Sequence, residues 1–441
     1  MYPGRGGPAD TSAARSRLPV SVVALSAAAG VLVAAAAYTA GRLGHAGASW
    51  ADRMYWLGQL LILTPVAARL LSRRALAASE TVTLVVVLTV AEYLVKVCYS
   101  PAAFTYADEL MHWRTATDIS QTGRLFTANN LLPISPYYPG LEEVTSALAS
   151  ITGLSIFTSG LIVAGAAHLL FVGVLFLLFR YVSGSHRIAG VALLLYASES
   201  LFQSFDSMFV YQTLALPFLG LTVLAVYRLA APQAAGFIAA LAVIRLTDNS
   251  LRWPVIRADL RRRAPVVVAA AVVAALVLIL NGLVNGWPPF WERLPGPYQV
   301  AGAERSVGPD QVASADWALA ALGPGNRFAT DEGDLPVLGS YGDQNTVGDD
   351  GYLYTSPAFT PAAAQQVQAE SIGYVLVDRR LSEMLPASGQ YFPVDPNVGK
   401  YTRPLPLADL TKFNHVPGVA RIYDSGNIVI YDLKGSAYYG S

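Results

Sequence analysis

The sequence predicts an α-helical polytopic membrane protein with about seven spans, one short partial helix and a C-terminal extracytoplasmic α/β domain. Two observations lead to this fold class. The 441-residue chain is 54% hydrophobic and only 14% charged, with a mean hydropathy of +0.42, whereas a soluble domain carries about 25% charged residues. The apolar residues also gather into runs of roughly 20, the length that crosses a bilayer. This composition argues against a soluble enzyme, a disordered chain or a nucleic-acid binder.

The apolar runs define the predicted spans. The first, residues 18–40, is uncharged and is longer than the apolar run of a signal peptide, so we expect an uncleaved helix. The stretch 235–244 is too short to cross a bilayer alone, and we expect a partial or re-entrant helix there. The remaining predicted spans, in chain order, are 55–71, 80–99, 156–179, 188–205, 209–230 and 264–285.

Charge patterning predicts which face of the membrane each loop occupies. Residues 1–285 carry 20 Lys/Arg against 13 Asp/Glu, and residues 286–441 carry 10 against 17, so the net charges are +7 and −7. Because Lys and Arg concentrate in cytoplasmic loops, the basic tail 1–17 is predicted to be cytoplasmic. The acidic loop 100–155 is predicted to lie outside, on the same face as residues 286–441.

Residues 18–285 therefore form the predicted transmembrane domain, and the composition changes after Gly286 to turn residues and acidic residues. The remaining length, 286–441, is enough for one small domain. Helix, strand and hairpin signals predict an α/β fold there. The predicted elements are a helix at 311–322, a strand at 327–330, a helix at 361–371, an apolar run at 372–378 and a hairpin turning at 424–427.

The densest polar cluster follows the third span and reads FTYADELMHWRTATDI, residues 104–119. On a helix, Asp108 and His112 share a face, and Glu109 lies three residues before His112. Adjacent carboxylates repel each other, and burial can raise one pKa towards that of a general base. The same three side chains could hold a divalent cation through oxygen and imidazole. A solvated amphipathic helix lying on the membrane explains the pattern as well, because the spacing is not diagnostic.

Two further segments place polar groups on the same predicted face. In SPYYPGLEEVTSAL (135–148), Tyr137 and Tyr138 suit the aromatic belt at a membrane interface. This segment either caps a helix or shapes a pocket above the membrane. In ASESLFQSFDSMFVYQTLALPF (197–218), Asp206 falls at the outer turn between two spans, either as a functional carboxylate or as a simple turn residue.

The third span contains two charged residues and the only cysteine. Glu92 and Lys96 are four residues apart, so we expect them to form an internal pair. A single cysteine, Cys98, excludes an intrachain disulfide and a cysteine-based zinc site.

The strings TYADELMHWRT, PYYPGLEEVTSAL and FDSMFVYQTLALP resemble bacterial polytopic glycosyltransferases of the GT-C superfamily. The strings ASADWALAALGPGNRFATD, IGYVLVDRRL and FNHVPGVARIYDSGNIVIYDL are similar to the C-terminal portion of actinobacterial members. The resemblance covers most of residues 80–230 and 310–435. It implies a multi-pass enzyme of the bacterial plasma membrane. Such an enzyme transfers a sugar from a polyprenyl-phosphate donor to a cell-envelope glycan acceptor on the outer face.

The resemblance also implies roles for individual residues. Asp108 and Glu109 occupy the motif of the first outer loop, in which a carboxylate acts as the base or orients the acceptor. Arg114 could contact the donor phosphate, because a guanidinium suits bidentate phosphate binding. The cation that Asp108, Glu109 and His112 could hold is the one candidate cofactor. The predicted substrate-binding residues are His112, Arg114, Tyr137, Tyr138, Asp206 and Gln212.

Other functions stay open at this stage. Members of the superfamily usually carry more spans than the seven predicted here, so the chain resembles a shortened member. A non-catalytic membrane protein could instead bind envelope glycan or a partner enzyme through its outer domain. A transporter is disfavoured, because the chain lacks paired interrupted helices in two matching halves.

Overall fold

A computed structural model describes residues 19–43, 48–228, 295–348 and 351–436 of the chain. Within these ranges the N-terminal part forms a helical bundle, and the C-terminal part forms a mixed α/β region with a five-stranded sheet. The predicted cytoplasmic tail 1–17, the partial helix 235–244, the span 264–285 and the boundary at Gly286 lie outside the described residues.

Among the described residues, the bundle contains four helices that are long and apolar enough to cross a membrane, which indicates a multi-pass membrane protein. They confirm the first four predicted spans as candidate membrane-spanning helices. In chain order the helices are α1 (Val20–Arg42), α2 (Ala48–Leu71), α3 (Ala78–Tyr99), α4 (Ala107–Thr122), α5 (Gly140–Thr152), α6 (Ile156–Ser183), α7 (His186–Ala197), α8 (Ser200–Gln203) and α9, described over 211–228. The four candidate spans are α1, α2, α3 and α6.

The bundle has two ends that differ in their surroundings. At the domain-facing end, α1 and α3 finish, and α4 and α5 lie against the C-terminal region. At the opposite end, the loop after α2 meets the start of α7. The guanidinium of Arg187 donates to the carbonyl oxygens of Ser72 and Arg74, and His186 Nε2 lies 2.7 Å from the carbonyl oxygen of Leu76.

Helix α9 runs alongside α6 from the domain-facing end of the bundle to the opposite end. Tyr211 packs its ring against His112 at the domain-facing end, with centroids 5.0 Å apart. Tyr227 packs against Tyr181, near the end of α6, with centroids 5.3 Å apart. The two helices therefore run side by side in the same direction, as the predicted order of crossings requires.

The predicted span over 188–205 is wrong in its second half. Helix α7 stops at Ala197 after 12 residues, which is about 18 Å of helix against a bilayer core of about 30 Å. The chain continues to residue 210 as short helical turns whose polar backbone groups find side-chain partners. Glu109 accepts the Phe209 N–H, and His168 Nδ1 lies 3.0 Å from the carbonyl oxygen of Asp206. Irregular backbone at membrane depth is tolerated only where protein or water satisfies it in this way.

Two glycines set the closest approach between α1 and α2. A Cβ added at Gly30 would lie 2.6 Å from the carbonyl oxygen of Gly58, and one added at Gly58 would lie 2.7 Å from that of Gly30. Small residues let helix backbones approach closely in a membrane, where apolar burial alone gives little driving force. Both positions therefore need glycine for this packing.

Replacement of Gly30 by Val is expected to lower the free energy of unfolding by about 1–3 kcal/mol, the usual cost of overpacking. The matched control is Gly173→Val on α6, because a Cβ at Gly173 meets open space. Thermal unfolding of both variants in the same detergent measures the difference. Equal midpoints for the two valine variants would contradict the close contact at Gly30.

The C-terminal region confirms the predicted α/β elements. Its helices are α10 (Pro309–Leu322), α11 (Asp334–Ser340), α12 (Tyr352–Thr355), α13 (Pro361–Ala369) and α14 (Leu407–Thr411). Its strands are β1 (Arg327–Ala329), β2 (Asn345–Val347), β3 (Tyr374–Asp378), β4 (Ala420–Asp424) and β5 (Ile428–Asp432). The sheet order is β2-β1-β3-β5-β4, with β1 parallel to β2 and β3, and β5 antiparallel to β3 and β4. The β4–β5 hairpin turns where the sequence predicted it.

One hydrophobic core joins the C-terminal region to the bundle. Buried residues of α4 to α6, such as Leu110 and Val163, belong to the same cluster as Phe328 of β1 and Ile430 of β5. Trp113 of α4 also packs against Tyr341, with ring centroids 4.6 Å apart. The sheet therefore fixes the position of α4, which carries the predicted catalytic residues.

Candidate functional site

Helix α4 separates the two predicted catalytic carboxylates. Asp108 and Glu109 lie in its first turn, where the helix dipole favours negative charge, and the helix ends at Gly123 in the left-handed region with φ of 66°. Neighbouring residues on a helix point about 100° apart. Glu109 consequently faces the core and is fully buried, whereas Asp108 faces outward and is exposed.

Glu109 joins three parts of the bundle. Its carboxylate forms a buried ion pair with Lys96 of α3 and accepts the Phe209 N–H at 2.9 Å. The Lys96 ammonium also lies 5.8 Å and 5.9 Å from the ring centroids of Phe104 and Tyr106. This arrangement gives Glu109 a positioning role, since it ties α4 to α3 and to the irregular segment before α9.

His112 binds a carboxylate from another helix. Its Nδ1 lies 2.5 Å from Glu142 Oε1 at the start of α5, and both side chains are buried. Glu142 therefore ties α4 to α5. The three predicted cation ligands Asp108, Glu109 and His112 are thus separated: one is exposed, one pairs with Lys96 and one bonds Glu142. Among the described residues there is no group of three or more His, Cys, Asp or Glu side chains that could hold a metal ion.

Arg114 lies at the contact between α4 and the C-terminal region. Its guanidinium donates to Asp118 at 3.2 Å and to the carbonyl oxygen of Gly339 at 2.5 Å, and it forms an ion pair with Asp343. Ser340 adds a bond from its hydroxyl to the carbonyl oxygen of Leu110 at 2.9 Å. The structure thus places Arg114 in an interdomain contact.

The other predicted substrate-binding residues lie around the same end of the bundle. Tyr137 and Tyr138 are largely exposed, and Tyr138 stacks on Tyr211 with centroids 5.9 Å apart. Gln212, next to Tyr211, is half-buried. Asp206 is buried and accepts a hydrogen bond from the Tyr196 hydroxyl. Asp206 and Glu109 therefore have different partners. The described part of the chain shows no site that these two carboxylates share with Asp108.

A cavity of about 150 Å³ lies between the start of α4 and the C-terminal region. Ala107, the residue before Asp108, is part of its wall. Its polar lining consists of the hydroxyl-bearing Thr105, Ser306 and Ser388 and the carboxyl-bearing Glu332. Burial raises the pKa of Glu332, although Gln390 Nε2 donates to it at 3.0 Å. Thr105 and Ser306 are buried, and their hydroxyls bond the Ser100 hydroxyl and the carbonyl oxygen of Gln299. The polar groups that retain exposed surface at the cavity are therefore Ser388 and Glu332, a hydroxyl and a carboxyl that suit a ligand with hydroxyl groups.

A buried acid pair, Asp331 and Asp334, lies behind one wall of this cavity. Strands β1 and β3 are parallel neighbours, so their carboxyl ends bring Asp331 and Asp334 close to Asp378. Asp378 is neutralised by Arg380, whose Nη2 donates at 2.8 Å. Tyr298 also donates to Asp378, at 2.7 Å.

Burial and mutual repulsion raise the pKa values of Asp331 and Asp334, the two carboxyls of the acid pair. Burial, followed by the charge of Asp378, raises the pKa of Asp331 to about 6. Burial, followed by the charge of Asp331, raises the pKa of Asp334 well above its ordinary value. The pair therefore retains a proton near neutral pH, since like charges at this distance cannot both ionise.

The acid pair makes stability depend on pH. Because the folded pKa values lie above the unfolded value of 3.8, the folded state binds more protons, and stability falls as pH rises from about 4 through 6 and beyond. Asp334→Asn removes one titrating group, and we expect a gain of about 1–3 kcal/mol at pH 8 that vanishes by pH 4.

Thermal unfolding at both pH values measures this gain, with Asp316→Asn as the control because Asp316 is exposed. An Asp334→Asn midpoint that tracks the wild type at every pH would contradict the shared proton.

The expected pair between Glu92 and Lys96 does not form. Glu92 instead accepts from Gln203 Nε2 at 2.7 Å, and Gln59, with its amide oriented to donate, reaches Glu92 at 3.0 Å. Tyr55 extends this network by donating to Gln203 Oε1 at 2.9 Å. Lys96 lies one turn nearer the domain-facing end, where Glu109 of α4 reaches it. The sequence does not predict that Lys96 pairs with Glu109 instead of Glu92, because Glu109 lies outside the third span.

Two groups that sequence reasoning missed belong to this end of the bundle. Glu142 lies in the segment 135–148, for which the sequence predicts either helix capping or a pocket wall, and its carboxylate binds His112. Glu332 lines the cavity beside Asp108, and only its position after a parallel strand could have pointed to it. Neither a protein-family model nor a curated protein matches this chain.

Proposed function

We propose that the chain is a membrane glycosyltransferase that transfers a sugar from a polyprenyl-phosphate donor to a hydroxyl of a cell-envelope glycan. The observation that carries the proposal is the position of Asp108. Its carboxylate is exposed at the domain-facing end of the bundle, directly after a residue that lines a hydroxyl-rich cavity. The described part of the chain offers it no hydrogen-bond partner, so it is available to a substrate.

The reaction needs one base and one leaving group. Asp108 takes the proton of the acceptor hydroxyl while that oxygen attacks the anomeric carbon of the donor. The bond between the anomeric carbon and the phosphate oxygen breaks, and its electron pair leaves with the lipid phosphate. A single displacement of this kind inverts the configuration at the anomeric carbon. A divalent cation, if one takes part, would find in Asp108 the one exposed carboxylate of the three predicted ligands.

The cavity beside Asp108 supports the acceptor part of the proposal. Ser388 and Glu332 are the lining residues with exposed polar surface, and hydroxyl and carboxylate groups bind sugar hydroxyls. The cavity lies between the bundle and the C-terminal region, so both parts of the chain would hold the acceptor. Glu109 and His112 then act as positioning residues that fix α4 through Lys96 and Glu142.

The charge distribution supports an outer-face location. Arg73, Arg74 and Arg187 lie at the opposite end of the bundle, where the loop after α2 meets α7. Cytoplasmic loops are enriched in arginine, so we place this end in the cytoplasm and the C-terminal region outside.

Labelling with a membrane-impermeant thiol reagent tests this placement in intact cells. The protein carries Thr402→Cys, at an exposed position of the C-terminal region, in a Cys98→Ser background. Modification from the periplasmic side is expected, and modification only after lysis would contradict the orientation.

Sugar transfer by the purified full-length protein tests the function. The assay offers labelled polyprenyl-phosphate sugars together with isolated envelope glycan, and it measures label in the glycan. Donor-dependent incorporation with inverted configuration is expected. Binding of the glycan without turnover for any donor would contradict the enzyme and favour a non-catalytic glycan-binding protein.

A further inference from the structure

Helix α5 carries an apolar face, formed by Val144, Ala147 and Ile151, on its exposed side. All three residues are exposed, and Ile151 leaves 84% of its surface uncovered. Because Ala147 follows Val144 by three positions and precedes Ile151 by four, they lie along one side of the helix. Leu154, directly beyond the helix, is also exposed. Single exposed apolar side chains are common on soluble proteins, whereas a continuous apolar face indicates contact with an apolar partner.

The buried side of α5 is its more polar side. Three of its five buried residues, Glu142, Thr145 and Ser146, are polar. Glu142 binds His112, and the Ser146 hydroxyl donates to the carbonyl oxygen of Ala116 at 2.9 Å, so both side chains are directed at α4. A helix on the surface of a soluble domain has the reverse arrangement, with its apolar side towards the core. The arrangement in α5 suits a helix whose outer side faces hydrocarbon.

Two exposed polar residues follow one edge of the apolar face. Glu143 and Ser150 each directly precede a residue of that face. Since neighbouring residues on a helix point about 100° apart, both lie on the same flank of α5. Thr152, also exposed, donates to the carbonyl oxygen of Leu148 at 2.6 Å within the helix. A helix in a membrane interface has such a polar flank, which reaches headgroups and water while the apolar face meets acyl chains.

The apolar face leads directly to a candidate membrane span. Helix α5 ends at Thr152, and α6 begins at Ile156 after its N-cap Ser155. An extended chain covers at most about 14 Å in these four steps. Helix α6 is one of the candidate spans among the described residues, and it exposes apolar side chains such as Ile162 and Leu170. The end of α5 therefore lies near the depth at which this span enters the bilayer.

We propose that α5 lies in the domain-facing edge of the bilayer core and that its apolar face contacts lipid acyl chains. Its 13 residues form about 20 Å of helix, which is too short to cross a core of about 30 Å, so α5 lies along the membrane surface. Tyr137 and Tyr138 precede it and are exposed, and tyrosine is enriched at the level of the headgroups. This lipid contact does not depend on sugar transfer.

Lipid contact by α5 fixes the position of α4 relative to the membrane. Helix α4 packs on the polar side of α5 through the contact between His112 and Glu142. On its other side, Arg114 and Leu110 bond Asp343 and Ser340 of the C-terminal region. Helix α4 is consequently held between the lipid-embedded helix and the C-terminal region.

Fluorescence quenching of the full-length protein in lipid vesicles tests the proposal. A bimane label is attached to Ile151→Cys in a Cys98→Ser background, and Ala147→Cys supplies a second site on the same face. Leu170→Cys on α6 is the lipid-facing control and Thr402→Cys in the C-terminal region is the water-facing control, since both positions are exposed. The quenchers are aqueous iodide and lipids that carry a nitroxide at a shallow or a deep acyl position. Only labelled variants that keep the thermal midpoint of the Cys98→Ser protein are compared.

We expect iodide to quench the Ile151 and Ala147 labels severalfold less than the Thr402 label. Both labels on α5 should be quenched by the lipid nitroxides, and more strongly by the shallow one, because an interfacial helix inserts only about 5–10 Å into the membrane. The Leu170 label, near the middle of α6, should instead be quenched more strongly by the deep nitroxide.

Three results would overturn the proposal. Strong quenching by iodide without quenching by the lipids would place the apolar face in water. Weak quenching by both reagents would mean that protein covers the face. That protein would be a second copy, which disulfide formation between Ile151→Cys chains would reveal, or residues outside the described ranges. Stronger quenching of both α5 labels by the deep nitroxide would contradict the position at the edge of the bilayer. None of these readouts involves sugar transfer, so failure of the proposed function would leave them unchanged.

Discussion

Asp108→Asn is expected to reduce sugar transfer by about 10²–10⁴-fold, the usual contribution of a general base. The amide cannot accept the proton of the acceptor hydroxyl, and its size and shape are those of the carboxylate it replaces. Because Asp108 is exposed and the described residues give it no partner, the loss of stability should not exceed the about 0.3–1 kcal/mol that the helix dipole gives an exposed first-turn carboxylate. Initial rates at saturating acceptor, measured beside the unfolding curve, separate the two effects.

The matched control for this variant is Glu143→Gln. Glu143 is also an exposed carboxylate in the first turn of a helix at the domain-facing end. Its removal should leave transfer within about twofold of the wild type, as is usual for a surface substitution with an effect below about 0.5 kcal/mol. Equal losses in the two variants would point to a general electrostatic effect and remove the special role of Asp108.

Lys96→Met is expected to lower the free energy of unfolding by about 3–5 kcal/mol, because it leaves the Glu109 carboxylate buried without its cation. Both partners are almost completely buried, and the described residues give Glu109 only the Phe209 N–H as a further donor. The double variant Lys96→Met/Glu109→Gln removes both charges and keeps an acceptor for that N–H. It should recover most of the lost stability.

An ion pair on the protein surface serves as the comparison for the buried Lys96–Glu109 pair. Asp424→Asn breaks the 3.1 Å ion pair with Arg379 and the 3.2 Å ion pair with Arg421 on the surface of the sheet, and each pair of that kind contributes about 1 kcal/mol or less. Thermal unfolding of the wild type, Lys96→Met, Glu109→Gln and the double variant in one detergent gives the coupling energy, and Asp424→Asn is measured beside them. Two results would contradict the buried pair. One is an equal loss of unfolding free energy in Lys96→Met and Asp424→Asn, and the other is a double variant less stable than both Lys96→Met and Glu109→Gln.

The long helices could be predicted from the sequence because the bilayer imposes a length and an apolar composition on them. The same signal failed over 188–205, where apolar residues continue past the end of α7 at Ala197. Hydropathy does not register that Gln203 donates to Glu92 of α3, or that the Asp206 carbonyl oxygen lies 3.0 Å from His168 Nδ1 of α6. Tertiary hydrogen bonds decided the local structure there.

The sequence predicted which residues belong to the candidate site, but not which of their side chains lie together in the fold. The helical spacing correctly places Asp108 and Glu109 in one first turn, but the sequence cannot say which of the two faces the core. That choice depends on Lys96 and on the sheet behind α4. Arg114 illustrates the same point, since its partner Asp343 lies 229 residues further along the chain.

The most direct test of this division of roles compares transfer per folded molecule in Asp108→Asn and Glu109→Gln. We predict that Asp108→Asn loses transfer, with no more than the small loss of stability expected for an exposed first-turn carboxylate. We predict that Glu109→Gln lowers the midpoint, while its folded fraction keeps transfer within about tenfold of the wild type, a change of about 1.4 kcal/mol in the activation free energy. Transfer at the wild-type rate by folded Asp108→Asn would contradict the assignment of Asp108 as the base.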